Sequence, residues 1–509
     1  MNTQLSHTES KTPTSPARRF SLPGLRPSDP RTVMIVLAVC MALQMTSFVM
    51  ILPLFARRFS ELGGGVASLG ASAMAFALAA TLAAPIMGTL ADRYGRRPLV
   101  LLSLAAYVLA FTGYLLASSV PAFILLRAIA GVFTAGLIPA VNGIVADVAP
   151  VDRRAQWIGI VSGGAAVGWI AGPILGGLFY DYRGYETALI IAISMAVAAL
   201  VTAYFTVPET HQISNSMAGR AALGRQWIRS VNPKASLSAF RDTLPNSLTA
   251  FLVLLVICTA VMFAWALIEP SFMFYAYDDL GWSSSMLGLV MSAYGIAMML
   301  GEFGLSQLGD HIGRKRVIVL GLVLFSAQFI GLVFLRNYLP IAVTFVIAGL
   351  GNSLFDPAIS ASILDIAPAE HRARAIGFKS TAGSLGNILG PALIVLFASS
   401  WNARDIFLIS ISVVILTVLV GLAGRFGLDL STAASQPSNG NTCTGFNKVC
   451  EPSLDATVAH KALTELPSST ARPLTPDPLT ARELDNCRKV VQDKSNKEVA
   501  GSLGIAKQK

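Results

Sequence analysis

Four ionisable side chains, Arg127, Glu269, Glu302 and Asp356, lie inside long apolar stretches of the sequence. A charged side chain at the centre of a bilayer costs about 2.5–3.5 kcal/mol or more, so such groups face the protein interior or water. A carboxyl group in apolar surroundings can take up a proton and release it when water or a cation arrives. These residues therefore predict reversible proton binding, or substrate binding, in a cavity at membrane depth.

Each of these residues also has a purely structural explanation. Arg127 could extend to the outer membrane interface, and each carboxylate could pair with Arg127 or with a helix end. Glu269 could also lie close to the outer interface, beside Asp278 and Asp279. We expect Glu269 and Asp356 to face the cavity, and we place Glu302 near the inner end of its span.

A stretch rich in glycine and arginine separates two apolar runs and reads GTLADRYGRR. Glycine permits a tight turn and a close backbone approach, and the aspartate could meet the positive end of a neighbouring helix. Contacts of this kind can break when two parts of a protein move apart, so we interpret the stretch as a gate. Alternatively, Arg96 and Arg97 only fix the topology and contact lipid phosphates. The candidate gating residues are Gly88, Asp92, Arg93, Gly95, Arg96 and Arg97.

A second copy of this stretch, SQLGDHIGRK, follows at an offset of 218 residues. The same offset aligns Pro139–Pro150 with Pro357–Pro368, which indicates a duplicated chain. The second copy has Ser306 where the first has Gly88, so we expect the first copy to be the stronger latch. The second copy adds the candidate gating residues Asp310, Gly313, Arg314 and Lys315.

Small residues recur at three- and four-residue spacing in the fifth apolar run. Such residues let membrane helices pack backbone to backbone, and a proline among them removes a helix hydrogen bond and favours a kink. Plain close packing without directional meaning could also explain the pattern. Its members are Gly159, Gly163, Gly168, Gly172, Pro173, Gly176 and Gly177.

Twelve apolar runs, each long enough to cross a bilayer as a helix, must position these residues. The 509 residues are 54% hydrophobic and 13% charged, compared with about 25% charged residues in soluble domains. The sequence therefore predicts an all-α membrane protein with two pseudo-symmetric six-helix bundles. The runs lie at 32–56, 70–91, 99–119, 121–147, 155–180 and 186–207, and at 248–276, 284–308, 317–335, 338–366, 375–400 and 404–426.

The polar segments set the predicted domain boundaries. We expect a disordered cytoplasmic N-terminal tail, an N-terminal half, a cytoplasmic central loop, a C-terminal half and a disordered cytoplasmic C-terminal tail. The basic central loop could lie on the inner leaflet and bind membrane lipids, or it could be a solvated linker. These regions cover 1–30, 31–207, 208–247, 248–426 and 427–509, respectively.

Lysine and arginine residues are unequally distributed between the loops on the two sides of the membrane. Loops on the side that holds the N-terminus, both glycine-arginine stretches and the segment 372–379 carry most of the lysine and arginine. By the positive-inside rule, both termini and both gates are cytoplasmic. Because the basic residues punctuate apolar spans, the net charge of +10 does not indicate a nucleic-acid partner.

With its duplicated GTLADRYGRR stretch, the chain resembles the major facilitator superfamily over about residues 32 to 426. The resemblance implies two halves around a cavity that opens alternately to either side. Arg127 with Gly131 is similar to the fourth-span signature linked to proton transfer, and Gly159–Gly177 is similar to the signature of drug and proton antiporters. The resemblance thus implies a monomer in the plasma membrane that exports small amphipathic or drug-like compounds in exchange for protons, with the proton-motive force as energy source and no cofactor.

Two other functions remain open from the sequence. The protein could be an importer or facilitator for a nutrient such as an organic anion, which Arg127 would bind. It could also be a transporter-like sensor that signals through the C-terminal tail. The sequence has no nucleophile, metal-binding or phosphate-binding motif that would predict an enzyme.

Overall fold

The computed structural model describes residues 30–150, 153–210, 248–305, 308–367 and 371–424. Apart from residue 30 and residues 208–210, the segments predicted as the two tails and the central loop lie outside these ranges. The first half contains α1 (Pro30–Ile51), α2 (Leu54–Glu61), α3 (Val66–Tyr94), α4 (Arg96–Leu116), α5 (Val120–Thr134), α6 (Leu137–Val148), α7 (Arg154–Arg183) and α8 (Tyr185–Thr206). The second half contains α9 (Leu248–Phe274), which continues as one π-helical turn (Tyr275–Asp279), α10 (Ser284–Leu305), α11 (Leu308–Ile312), α12 (Arg314–Phe325), α13 (Ala327–Phe334), α14 (Tyr338–Ile366), α15 (Arg372–Phe397) and α16 (Ala403–Ala423).

Twelve stretches of these helices are long and apolar enough to cross a membrane, which confirms the predicted fold class. Helices α5 and α6 together make one span, and α12 and α13 together make another. Large apolar side chains such as Leu109 and Leu116 are more than 70% exposed, as expected of helix surfaces that face lipid. The predicted domain boundaries stay predictions, although α8 ends at Thr206 and α9 begins at Leu248.

The two halves, whose sequences are related by the offset of 218, also form equivalent contacts at one end of each half. In both halves a glycine with positive φ directly precedes a membrane helix: Gly95 at +103° precedes α4, and Gly313 at +91° precedes α12. The residue after each glycine forms an ion pair, and the offset of 218 relates the two pairs, Arg96–Asp147 and Arg314–Asp365. The next residue donates a hydrogen bond to a backbone carbonyl at 2.7 Å in both halves. These bonds run from Arg97 Nη2 to Tyr204 and from Lys315 Nζ to Leu422. The duplication therefore extends from sequence to tertiary structure.

Two further glycines with positive φ mark the other end of the halves. Gly63 has a φ of +76° and Gly281 a φ of +65°, and the same offset relates them. We call the end of the helices that holds Gly95 and Gly313 the gate side, and the end that holds Gly63 and Gly281 the far side.

The two halves are in contact on the far side. Gly177 of α7 lies against the backbone of Ser284 in α10, and Gly70 of α3 lies against Pro391 and Ile394 of α15. A methyl group added at Gly177 would overlap the Ser284 backbone, and one added at Gly70 would be tight against the Ile394 side chain, so the helices approach each other closely.

The halves lie apart on the gate side. A methyl group added at Gly88, Gly159, Gly163 or Gly304 would meet no atom within 4 Å, and Phe303 at the gate-side end of α10 is 82% exposed. The structure is therefore closed on the far side and open towards the gate side.

Candidate functional site

A cavity of about 470 Å³ lies between the two halves, a volume suited to a drug-sized ligand. Its wall is mostly apolar and aromatic. The lining residues are Phe48, Leu52, Phe55, Leu69, Ala73, Phe76, Ala77, Ala80, Thr81, Arg127 and Trp169 of the first half, and Met262, Trp265, Ala266, Glu269, Pro270, Met273, Ser384, Asn387 and Pro391 of the second.

Arg127 of α5 lies in the cavity wall and is only 6% exposed. Its guanidinium carbon lies 4.5 Å from the ring centre of Phe76 and 5.0 Å from that of Phe55, so cation–π attraction partly compensates the charge. Within the described ranges, its Nε and Nη1 atoms have no hydrogen-bond partner. The arginine therefore faces the cavity and does not extend to the far-side interface.

Glu269 of α9 enters the same cavity from the opposite half and is half-buried. Arg127 is close enough to act on it electrostatically, yet no ion pair within 4 Å joins Glu269 to any described basic group. Pro270 follows it inside the helix, and a proline there disrupts the hydrogen bonding of the preceding turn. Arg127 and Glu269 are the charged members of this cavity wall, one from each half.

The repeat shows that the fold itself does not require either charge. The residue equivalent to Arg127 is Phe345, which stacks on Phe272 with ring centres 4.8 Å apart. The residue equivalent to Glu269 is the fully buried Ile51. The chemistry of the cavity therefore lies where the two copies differ.

Asp356 of α14 does not belong to the cavity wall but forms an ion pair with Lys379 of α15. The Lys379 ammonium donates to Asp356 Oδ1 at 2.7 Å and to Ser360 Oγ at 2.6 Å. Lys379 was predicted among the basic residues of the cytoplasmic side and also within the apolar run 375–400. The structure places it inside the helix, because α15 begins at Arg372 and continues through Lys379. At the offset of 218, Asp356 aligns with Ile138 and Lys379 with Val161, so both charges are present in the second half and absent from the first. This difference in the sequence could have indicated that Asp356 and Lys379 form a pair.

Glu302 is exposed at the gate-side end of α10 and is not part of the cavity wall. It lies within electrostatic range of Asp356. With Lys379, the two carboxylates form a charged group between the cavity and the gate-side opening, separate from Arg127 and Glu269.

The first gating stretch is held within its own half. Arg96 pairs with Asp147 and donates to the Gly143 carbonyl. The Glu209 carboxylate accepts hydrogen bonds from the backbone nitrogens of Arg96 and Arg97, both at 3.2 Å, and so caps the start of α4. Sequence reasoning missed Glu209, because it follows α8 and lies more than a hundred positions from the helix that it caps.

The other gating candidates have separate surroundings. The Arg93 guanidinium lies 5.3 Å from the ring centre of Tyr94, and a methyl group at Gly88 would meet no neighbour within 4 Å. The side chains of Asp92 and Asp310 lie outside the described residues, so their predicted role as latches stays a prediction.

The small-residue pattern of α7 divides into a packed part and an open part. Gly168, Gly172 and Gly176 lie against the backbone of α1. Gly177 and Pro173 lie against α10 of the other half, where Pro173 meets Gly288. The two members nearest the gate side contact no other helix in this conformation.

Comparison with known proteins agrees with this architecture. The sequence profile described as Major Facilitator Superfamily matches residues 34–275 and 254–442. The chain is 28% identical to the Multi-drug resistance efflux pump PmrA homolog of Lactococcus lactis subsp. lactis (strain IL1403), over 67% of this chain and 81% of that protein. It is 26% identical to the Multidrug resistance protein MdtG of Yersinia enterocolitica, over 73% of this chain and 88% of that protein.

Solved structures share the fold at lower sequence identity. The crystal structure of the human organic anion transporter MFSD10 superimposes with a TM-score of 0.57 at 20% identity, over 77% of this chain and 99% of that one. The D-xylose-proton symporter gives a TM-score of 0.59 at 15% identity, over 78% and 98%. These relatives and structural neighbours are membrane transporters and not enzymes. The chain belongs to the Major Facilitator Superfamily, and it is an integral, multi-pass membrane transporter.

Proposed function

We propose that this transporter is an antiporter that exports small amphipathic or drug-like compounds in exchange for protons. The observation that carries the proposal is the placement of Glu269 and Arg127 on opposite halves of one apolar cavity. Efflux pumps among the relatives support the direction of transport.

Alternating access follows from the two ends of the structure. The positive-inside rule makes the gate side cytoplasmic, so the open cavity would receive its substrate from the cell. Trp169 and Trp265 offer aromatic surfaces to an apolar substrate. When the gate side closes and the far side opens, the substrate leaves to the outside.

Glu269 would couple this movement to protons. With Glu269 ionised, the charges of Glu269 and Arg127 balance, and with Glu269 protonated the cavity carries one positive charge. A substrate with a cationic group and a proton would therefore exclude one another at this carboxylate, which is the condition for exchange. The proton-motive force would supply the energy, no cofactor would be needed, and the protein would act as a monomer in the plasma membrane.

A reconstituted system tests this coupling. Proteoliposomes that contain the full chain should accumulate the fluorescent cation ethidium when a pH gradient is imposed. In Glu269→Gln we expect gradient-driven accumulation to fall more than about tenfold, since a neutral amide can neither exchange a proton nor pair with the cation. The matched control is Glu61→Gln, because Glu61 lies outside the cavity and pairs with Arg58. Ethidium flux that ignores the pH gradient in the wild-type protein would refute the proposal.

Arg127 favours a second candidate function, uptake of an organic anion, because its Nε and Nη1 have no acceptor among the described residues. Growth of an efflux-deficient host on toxic compounds separates the two. An exporter should protect the host, whereas an importer should sensitise it or have no effect.

A further inference from the structure

Within the described residues, the cavity wall presents one positive and one negative charge and is otherwise uncharged. The positive charge belongs to Arg127 of the first half and the negative charge to Glu269 of the second. Neither charge is neutralised by an ion pair within the described ranges. A ligand in this cavity can therefore meet two opposite charges at once.

The Arg127 guanidinium lacks acceptors for two of its nitrogens. It is 94% buried, and Nε and Nη1 have no hydrogen-bond partner in the described structure. Leaving buried donors unsatisfied is costly, and a bond from a charged donor to an acceptor is stronger than a neutral one. Both nitrogens are buried in the wall, so an anionic group of a ligand would compensate the guanidinium charge where Arg127 lines the cavity.

Glu269 supplies the negative charge of the site. The residue is half-buried in the same wall, and its carboxylate can accept hydrogen bonds from an ammonium group. The intervening wall is aromatic and apolar, with Phe76 and Trp265 among its members. The ligand that matches all three features has an apolar or aromatic body, a carboxylate and an ammonium group.

We infer that the cavity binds amphipathic zwitterions, with the ligand carboxylate on Arg127 and the ligand ammonium on Glu269. This inference names the substrate class of the proposed function and rests on it. A purely cationic ligand would leave Arg127 without an acceptor, and a purely anionic ligand would be repelled by Glu269. Only the zwitterion satisfies both groups, and its ammonium and a proton still compete for Glu269.

A set of three related probes tests the inference by equilibrium binding. ε-Dansyl-lysine is a zwitterion, its methyl ester is a cation, and its Nα-acetyl derivative is an anion. With the purified full chain in nanodiscs, we expect the zwitterion to bind at least about tenfold more tightly than either derivative, as measured by dansyl fluorescence. Equal or tighter binding of the methyl ester would overturn the inference.

Variants test whether Arg127 binds the ligand carboxylate and whether Glu269 binds the ligand ammonium. Arg127→Gln should remove the advantage of the zwitterion over the methyl ester, and Glu269→Gln should remove its advantage over the acetyl derivative. Arg336→Gln, at an arginine that lies 5.6 Å from the Tyr275 ring centre outside the cavity wall, should preserve both preferences. Arg127→Lys provides a second variant that retains the charge and should keep part of the preference if Arg127→Gln does not fold. An unchanged preference in a folded Arg127→Gln protein would also overturn the inference.

The two proposals fail separately. If ethidium transport follows the pH gradient but the zwitterion has no binding advantage, the substrate class is wrong and the antiport proposal stands. If the zwitterion binds preferentially but flux ignores the gradient, the antiport proposal fails and the binding site stands.

Discussion

At Lys379, one ammonium group meets a carboxylate and a hydroxyl inside the second half. The lysine side chain is 13% exposed and that of Asp356 is 45% exposed, so the pair is partly desolvated. Removing one member of such a pair leaves the other charge without compensation.

We expect Lys379→Ala to destabilise the protein by about 1–3 kcal/mol, less than a fully buried pair would cost, because water reaches Asp356. The melting temperature in detergent should fall by a few degrees. The double variant Lys379→Ala/Asp356→Ala should recover much of that loss, since no unpaired charge remains. As a control, Glu61→Ala breaks the more exposed pair with Arg58 and should have a smaller effect. A double variant that melts as low as the sum of both single effects would contradict this account.

Single residues differ in how far the sequence predicts their surroundings. Arg127 and Glu269 are recognisable because a charge in an apolar run must face a cavity or a partner, and both face the cavity. Lys379 and Glu209 were missed, because their roles depend on partners from other helices. Spacing along one helix does not show such contacts.

Among the helices, α7 and α10 form the longest contact between the halves, and they run antiparallel. Gly177 lies against Ser284, Pro173 against Gly288, and the backbone around Trp169 against Gly295. Continuing this register towards the gate side brings Gly163 towards the region of Leu300 when that side closes. Gly159 and Gly163 of α7 thus lie in line with the contact between α7 and α10 that is already packed on the far side.

The surroundings of α7 predict different effects for two of its glycines. Gly163→Val should fold and bind substrate normally, because a side chain there meets nothing within 4 Å, but it should block transport by preventing closure of the gate side. Gly176→Val should be destabilised by about 1–3 kcal/mol or more, because its Cβ would overlap the Met50 carbonyl. Melting temperature and ethidium transport in proteoliposomes measure the two effects. Wild-type transport by Gly163→Val would show that α7 does not close there.

The helices themselves were predictable to within a few residues, since apolar length decides what crosses a bilayer. Twelve runs were predicted, and the described part of the chain contains twelve helical stretches long and apolar enough to cross a membrane. The division of the small-residue pattern was not predictable, because the sequence states which residues are small but not which conformation the two halves adopt.

For the molecule as a whole, Asp181 joins the halves on the far side. Its carboxylate, at the end of α7, accepts hydrogen bonds from the backbone nitrogens of Ser284 (3.1 Å) and Ser285 (2.8 Å) at the start of α10. A carboxylate at a helix N-terminus stabilises that helix, and here the two helices belong to different halves. The contact must break when the far side opens.

Asp181→Asn should therefore shift the protein towards the form that is open on the far side. A loss of about 1 kcal/mol for this exposed cap corresponds to roughly a fivefold change in population. Spin labels at positions 61 and 403 should report more of the longer distance across the far side. Asp405→Asn is the matched control, since Asp405 caps α16 within its own half. Equal distance distributions in wild type and Asp181→Asn would contradict the prediction.

The described ion pairs, Arg58–Glu61, Arg96–Asp147, Arg314–Asp365 and Lys379–Asp356, each stay within one half. Movement of the halves therefore need not break these four pairs, and in the proposed cycle Glu269 is the group that exchanges a proton for the cargo. Exchange of one proton for one neutral zwitterion would carry one positive charge inward per cycle. Transport would then be electrogenic, and each 100 mV of membrane voltage would add about 2.3 kcal/mol to the driving force.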